Sequence, residues 1–472
     1  VLPPMTTESA PAPGFWASVR ESLRGSHHDY TTGPLGRAIL LLAVPMVLEM
    51  VMESVFAVVD IFFVGKIGPA AIATVGLTET LITVVYTVAF GVSIGVAATV
   101  ARRIGEKDPD AAAHTAMQGI WLGLAISIPM AIIGVFAAPS LLALMGAGPD
   151  VLAIGSGYAR ILLGGNVVIL LIFIINAAFR GAGDPAVAMR VLWVGNGINI
   201  VLNPCLILGL GPFHRFGVTG SAIATMIGRG TGVLYQLWIL KRGSSRLVVR
   251  RAHIALDVPL MGRLLKLSGA ATLQNFIGSA SWIGLMRVVA PFGSTVVAGY
   301  TIAIRVIIFV LLPSWGLSNA GATLVGQSLG AKNPERAAEA SWRAAFYNFV
   351  FLGVFGIGFV AASPWIVGLF THDAEAVLVG ARALLIIGVG LPVFAYAMVL
   401  SNAFNGAGDT WTPTWMNFAC FWVFEVPLAW WLAMRAGWGP DGVFTAITVA
   451  FTVYAIVAVV LFRREKWMKV AV

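Results

Sequence analysis

Residues 179–184 read FRGAGD and residues 404–409 read FNGAGD, so this hexapeptide returns at an offset of 225. A second loop follows the same offset, because residues 105–109 (GEKDP) correspond to residues 330–334 (GAKNP). Matches in separate loops at one fixed offset are typical of an internal repeat. We therefore expect each half of the chain to form the same structural unit.

The composition excludes a soluble protein. Of the 472 residues, 58% are hydrophobic and only 11% are charged, whereas soluble globular domains carry about 25% charged residues. The mean hydropathy is +0.89. The apolar residues form runs of the length that an α-helix needs to cross a bilayer, about 20 residues. These features predict an all-α polytopic membrane protein.

Twelve apolar runs predict twelve transmembrane helices, six in each half. They cover residues 38–64, 76–100, 115–137, 151–178, 187–210, 218–240, 260–290, 295–322, 340–362, 378–403, 411–434 and 442–462. Because each half has an even number of spans, both halves enter the membrane in the same orientation. They are therefore parallel repeats, related by an axis along the membrane normal.

The runs divide the chain into four segments. We expect a cytoplasmic tail at residues 1–36, disordered over residues 1–13, and an N-terminal six-helix lobe at residues 37–240. A cytoplasmic linker at residues 241–259 leads to a C-terminal six-helix lobe at residues 260–465. Two lobes with a cleft between them are typical of a carrier that works by alternating access.

The basic residues predict the orientation. With the N-terminus inside, most of the 30 Lys and Arg residues fall on one side, with a dense group between residues 241 and 266. The positive-inside rule assigns this side and both termini to the cytoplasm. The net charge of +9 then reflects topology, and we expect no nucleic-acid partner. The 2 cysteines lie in separate apolar runs, which argues against a disulfide or zinc site.

Several local sequences resemble one transporter family. Residues 58–65 (VVDIFFVG) end the first span, Gly91 and Gly95 mark the second, and the 105–109 loop and the FxGAGD hexapeptides follow. The motifs occur in this order, and the loop and the hexapeptide recur in the second half. In this arrangement they are similar to those of the multidrug and toxic compound extrusion (MATE) transporters over about residues 36–465. The resemblance implies export of drugs or organic cations, driven by inward proton or sodium flow.

The resemblance also assigns residues. Asp60 is similar to the first-span acid of the family's N-lobe cation site, and Asn199 and Asn203 to its fifth-span partners, although many relatives carry Asp at the position of Asn203. Relatives of the NorM type carry acids in the seventh and tenth spans, and residues 260–290 and 378–403 contain none. The similarity is therefore closer to the DinF-type branch, in which coupling lies in the N-lobe.

Three acids of the first span share one helical face. At about 100° per residue, Glu53 lies about 40° and Asp60 about 20° from Glu49. Ionisable groups at bilayer depth are costly and mark functional sites, so this face points into the protein. Such a carboxylate can carry a proton or supply the negative charge that holds Na⁺. We assign Asp60 and Glu53 to cation coupling; a structural hydrogen-bond network is the alternative.

Neutral oxygens lie in the fifth and sixth spans. Asn199 and Asn203 are four residues apart, and Ser221 and Thr225 repeat that spacing, so each pair lies on one helical face. We expect these four side chains to complete the coupling site, with Na⁺ possible at Asp60, Asn199 and Asn203. Hydrogen bonding between helices is the alternative.

Six side chains are candidates for the cargo cleft. They are Glu49, Gln274, Asn275, Tyr300, Arg305 and Glu425. Glu425 is the one acid in the spans of the second half. Arg305 is its possible ion-pair partner, because a buried charge needs one; alternatively Glu425 anchors a cationic cargo. The sequence leaves these two readings equal.

Two other functions compete. An enzyme is not supported, because the chain has no HExxH motif and no His pair within a span. A lipid-linked oligosaccharide flippase of the related carrier superfamily is the alternative function, but its anionic cargo would need several basic residues in the cleft. The chain offers mainly Arg229 and Arg305 there, against the acids Glu49, Glu53, Asp60 and Glu425. We expect cationic amphiphiles as cargo, H⁺ or Na⁺ as coupling ion, no cofactor, a lipid bilayer around the protein and a monomer.

Overall fold

The computed structural model describes residues 14–25 and 28–470, so the predicted disordered segment, residues 1–13, lies outside the described residues. Within the described part the chain is a bundle of helices joined by short loops. The helices are α1 (Phe15–Arg24), α2 (Leu35–Gly65), α3 (Pro69–Gly105), α4 (Pro109–Leu144), α5 (Pro149–Gly164), α6 (Asn166–Gly181), α7 (Pro185–Leu208), α8 (Val218–Arg242), α9 (Val258–Val289), α10 (Ser294–Gly330), α11 (Pro334–Gly368), α12 (Ala374–Ala407), α13 (Trp411–Asn417), α14 (Val426–Trp430) and α15 (Pro440–Phe462).

The twelve predicted spans correspond to these helices. Over the described residues, ten helical stretches are long and apolar enough to cross a bilayer; α5 with α6 forms one stretch, and Trp411–Arg435 forms another. The more polar α8 and α9 complete the twelve. Large apolar side chains such as Phe136 and Ile357 are 80% and 72% exposed on the outside of the bundle, where they require lipid. The predicted all-α polytopic fold is confirmed.

The two halves repeat each other's backbone. Lys107 and Lys332 both adopt left-handed conformations, with φ of 62° and 57°, and so do Gly183 and Gly408, with φ of 82° and 89°. A lysine rarely adopts a positive φ. Each of these lysines lies just beyond a long helix, where a left-handed residue lets the following N–H groups bond the last carbonyls. The 225-residue repeat is therefore present in the structure as well as in the sequence.

Helix α2 packs into both halves. Residues near its start, including Ile39, Leu42 and Met46, share a hydrophobic core with Leu324 of α10 and Ala344 of α11. Further along, α2 lies against α7. One helix thus connects the two halves directly. The lobe boundaries at 37–240 and 260–465 stay predictions.

The halves touch near what we call the basic end, which comprises the loops at residues 105–109, 181–185, 242–258 and 330–334. A Cβ added to Gly316 of α10 would lie 2.6 Å from the carbonyl oxygen of Met46 on α2. Backbones can approach so closely only where a side chain is missing. The glycines of α3 and α10 that approach the opposite half in this way all lie in the part of each helix nearest the basic end, namely Gly91, Gly95, Gly105, Gly316, Gly326 and Gly330.

An N-terminal strap, residues 28–33, crosses the basic end. The Arg336 guanidinium, at the start of α11, donates to the carbonyl oxygens of Tyr30, Thr32 and Gly33 at 2.9–3.1 Å. In the other half, Arg246 donates to the carbonyl of His28. The strap therefore bonds to both halves. The cytoplasmic tail over residues 1–36 stays a prediction.

Asp29 ties the strap to the first half a second time. Its carboxylate accepts a hydrogen bond from Lys107 Nζ at 2.7 Å and bonds Thr31. Burial raises the pKa of Asp29, but the hydrogen bonds from Lys107 and Thr31 outweigh it and hold the pKa at about 2. Asp29 therefore stays ionised at neutral pH.

Gly316→Ala tests the contact between the halves. We expect the apparent melting temperature in detergent to fall, because overpacking costs about 1–3 kcal/mol. Gly358→Ala on α11 is the matched control, since a Cβ there meets nothing within 4 Å. Tryptophan fluorescence during heating measures both. Equal stability of Gly316→Ala and the wild type would contradict a rigid contact.

Candidate cation and cargo site

Asp60 lies near the end of α2 that is remote from the basic end. Its Oδ1 accepts hydrogen bonds from Asn203 Nδ2 at 2.7 Å and from Ser221 Oγ at 2.6 Å. Helices α7 and α8 supply these two donors. The structure therefore brings Asp60, Asn203 and Ser221 together as a half-buried acid with two neutral partners.

Asn199 and Thr225 pair with each other one turn away. Asn199 Nδ2 donates to Thr225 Oγ1 at 3.0 Å. The Oδ1 atoms of Asn199 and Asn203 are buried and have no hydrogen-bond partner in the described part of the chain. Buried polar atoms are usually satisfied, so each exception calls for an explanation. Two amide oxygens close to a carboxylate fit the ligand chemistry of a hard cation.

Glu53 forms an ion pair that the sequence analysis did not predict. Its carboxylate accepts from Arg229 Nη2 at 2.6 Å and from Asn196 Nδ2 at 3.0 Å. The buried guanidinium of Arg229 also lies near the rings of Tyr86 and Phe173. Glu53 therefore has a charged partner of its own and does not share the donors of Asp60.

Glu49 is turned away from the cleft. It is 1% exposed and accepts from Arg180 Nη1 at 2.6 Å, while Asn176 donates to the same oxygen at 3.3 Å. Gln236 in turn donates to Asn176 at 2.7 Å. Arg180, at the end of α6, is 8% exposed and neutralises Glu49.

A cavity of about 580 Å³ lies between the two halves. Helix α9 contributes Gln274 and Asn275, and Glu425 comes from the eleventh span. The first half contributes Phe90 and Arg180, among others. Of the six cleft candidates, these three from the second half line the cavity.

The other three cleft candidates do not line it, so the expectation that they do is not met. Glu49 faces Arg180. Tyr300 is buried in the core of the second half, stacked on Phe444 with ring centroids 6.1 Å apart. Arg305 is exposed, and among the described residues no ion pair joins it to Glu425. The proposed Arg305–Glu425 pair is therefore absent from this structure.

One short sequence matches an enzyme motif by its letters alone. Residues 91–95 read GVSIG, the GxSxG pattern of hydrolase nucleophile elbows, and the sequence analysis overlooked it. The pattern works where a strand turns sharply into a helix. Here it lies inside α3, where Gly91 and Gly95 let α9 approach. The motif therefore serves packing.

The MatE family model matches residues 45–205 and again residues 270–431, once in each half, and the two matches begin 225 residues apart. "Probable multidrug resistance protein YoeA" of Bacillus subtilis is 27% identical over 422 residues, covering 88% of this chain and 91% of its own length. "Probable multidrug resistance protein NorM" of Thermotoga maritima is 24% identical over 444 residues, covering 92% and 94%.

Solved structures agree with this match. A crystal structure of MATE in complex with MaL6 superposes with a TM-score of 0.87 at 26% identity, covering 92% of this chain and 97% of its own. The outward-facing conformation of a multidrug resistance MATE family transporter gives the same values.

A double-mutant cycle tests the Glu53–Arg229 pair. Either Glu53→Gln or Arg229→Met leaves a buried group unpaired, so each is expected to destabilise the protein by about 3–5 kcal/mol. The double variant should cost less than the two single changes together. Thermal unfolding in detergent measures all three. Glu106→Gln is the control, because its pair with Arg103 is exposed; additive effects at Glu53 and Arg229 would contradict the pair.

Proposed function

The chain belongs to the MatE family, and we propose on that premise that it is a secondary antiporter, which exports organic cations by alternating access in exchange for inward-moving protons or sodium ions. It is a multi-pass membrane transporter and not an enzyme. The family match does not favour the oligosaccharide flippase. The DinF-type branch stays a prediction, as does the monomeric state.

The arrangement of Asp60 carries the proposal of ion coupling. Among the described residues it forms no ion pair, and its partners Asn203 and Ser221 are neutral. A carboxylate in such surroundings needs a positive charge, which either a proton or Na⁺ provides. The unpartnered oxygens of Asn199 and Asn203 favour Na⁺ as one transported ion.

The contacts between the halves support alternating access. The positive-inside rule assigns the basic end to the cytoplasm, so the contact of Gly316 with Met46 closes the cytoplasmic side. This supports an outward-facing state, and one structural neighbour is described as outward-facing. To open inward, the molecule must separate this contact and release Arg336 from the strap.

Helix α2 offers a route from ion binding to opening. Asp60 bonds α7 and α8, and the start of the same helix shares a core with α10 and α11. A proton or Na⁺ at Asp60 changes the bonds that hold α2 against its own half. Because α2 is continuous from Leu35 to Gly65, that change reaches the contact between the halves.

Asp60→Asn tests coupling. We expect the variant to fold but to lose cargo transport driven by an imposed pH or Na⁺ gradient in proteoliposomes, because the amide can neither bind a proton at neutral pH nor supply a charge to Na⁺. Asp150→Asn, an exposed aspartate at the start of α5, is the matched control. Undiminished gradient-driven transport by Asp60→Asn would refute the coupling role.

Asn199→Leu and Asn203→Leu test the sodium site. A bound ion stabilises the folded state in proportion to the logarithm of its concentration, so the wild type should melt at a higher temperature in NaCl than in choline chloride. Both variants should lose this difference. Asn348→Leu is the control, since Asn348 is equally buried but lies in the second half, bonded to Ser314. Sodium dependence that survives in both variants would leave Asn199 and Asn203 with a packing role only.

A further inference from the structure

The cavity between the halves holds one acidic side chain that has no partner among the described residues. Two charged side chains line it, Arg180 and Glu425. Arg180 is neutralised by Glu49 at 2.6 Å. Glu425 is 2% exposed and forms neither a hydrogen bond nor an ion pair within the part of the chain that the structure describes. An ionised carboxylate in this position costs free energy until a proton or a cation neutralises it.

The backbone that carries Glu425 is irregular. Phe418–Glu425 is a π-helix, in which Val426 N–H donates to the carbonyl oxygen of Phe421 instead of that of Trp422. Pro427 follows directly and has no N–H to bond the carbonyl of Val423. π-Helical segments within α-helices occur frequently at functional sites. The eleventh span is therefore distorted where its acid meets the cavity.

Aromatic rings form the wall beside Glu425. Phe394 stacks on Phe451 with centroids 4.0 Å apart, and Phe421 lies 5.0 Å from Tyr454. All four rings, and Trp282, line the cavity. Such rings bind the apolar body of a ligand and attract a positive charge through their faces.

Unsatisfied polar atoms add a second, independent sign of a ligand. Gln274 Oε1 and the side-chain amide atoms of Asn405 are buried, have no partner among the described residues and belong to side chains that line the same cavity. Buried polar groups are normally bonded. The volume of about 580 Å³ suits a drug-sized molecule.

We propose that Glu425 is the anchor for a lipophilic monocation in the second half of the chain, with its charge on the carboxylate and its apolar body among the aromatic rings. A single uncompensated carboxylate matches a single positive charge. The inference rests on the proposed export of cations. It differs in location and role from the coupling site at Asp60, which lies on α2 of the first half.

Equilibrium binding tests this inference without any gradient. Purified protein in a neutral detergent is dialysed against radiolabelled tetraphenylphosphonium, a lipophilic monocation, and separately against triphenylphosphine oxide, a neutral analogue; protein-free micelles are subtracted. Glu425→Gln should bind tetraphenylphosphonium at least about tenfold more weakly, since it removes one member of a desolvated charge pair. Its binding of the neutral analogue should not change.

Two controls keep the outcome decisive. Glu79→Gln removes an acid that is exposed and does not line the cavity, so it should bind both probes like the wild type. Glu425→Asp keeps the charge but shortens the side chain, so it should lose part of the cation affinity; it takes the place of Glu425→Gln if the latter does not fold. If neither variant folds, Glu425 is structural and the inference fails.

Three other outcomes would also contradict the proposed role of Glu425 as a cation anchor. They are unchanged binding of tetraphenylphosphonium by Glu425→Gln, an equal loss for the neutral analogue, or no binding of the cation by the wild type. A different result would contradict the proposed antiport. A wild type that binds the cation through Glu425 but shows no gradient-driven transport would leave this anchor in place and remove the coupling. Asp60→Asn should retain binding.

Discussion

A carboxylate in the apolar layer of a membrane must find a partner, and the first half of this protein is arranged around that constraint. The acidic face of α2 meets three different sets of partners. Glu49 is paired with Arg180 of α6, Glu53 with Arg229 of α8, and Asp60 with neutral donors of α7 and α8. Two acids are neutralised by arginines and one is not. In the proposed antiport, the acid without a cation is the one that binds the transported ion.

The same constraint distinguishes the second half. Its spans hold one acid, Glu425, and the structure supplies no cation for it. Asp60 in the first half and Glu425 in the second thus both lack an ion-pair partner among the described residues, and their surroundings differ. Asp60 lies among amides and a hydroxyl, which suit a small hard ion, whereas Glu425 lies beside aromatic rings, which suit a large organic one. The proposed exchange of the two kinds of ion would need both environments.

The sequence predicted what depends on local pattern. Apolar runs and the 225-residue repeat were sufficient for the spans, whereas the grouping of Asp60 with Asn203 came from the resemblance to the MATE family. Pairing between distant spans was not predictable, because spacing along one helix says nothing about its neighbours. Arg229 could still have been noticed, since the rule for ionisable groups within spans applies to arginine too. The positions of Tyr300 and Arg305 depend on how α10 is rotated, which packing decides. The π-helix before Pro427 likewise depends on its tertiary setting.

The packing of α2 against both halves has a consequence for the free energies of ion binding and of separating the halves. One continuous helix bears the acidic face and also the residues that pack on α10 and α11. Thermodynamic linkage is reciprocal: if an ion at Asp60 favours separation of the halves by some factor, separation must raise the affinity for that ion by the same factor. The bonds from Arg336 and Arg246 to the strap then contribute to ion affinity, although they lie at the far end of the molecule. Natural variation in this polar N-terminal stretch would thus adjust the ion concentration at which the carrier half-saturates while leaving every ligand atom in place.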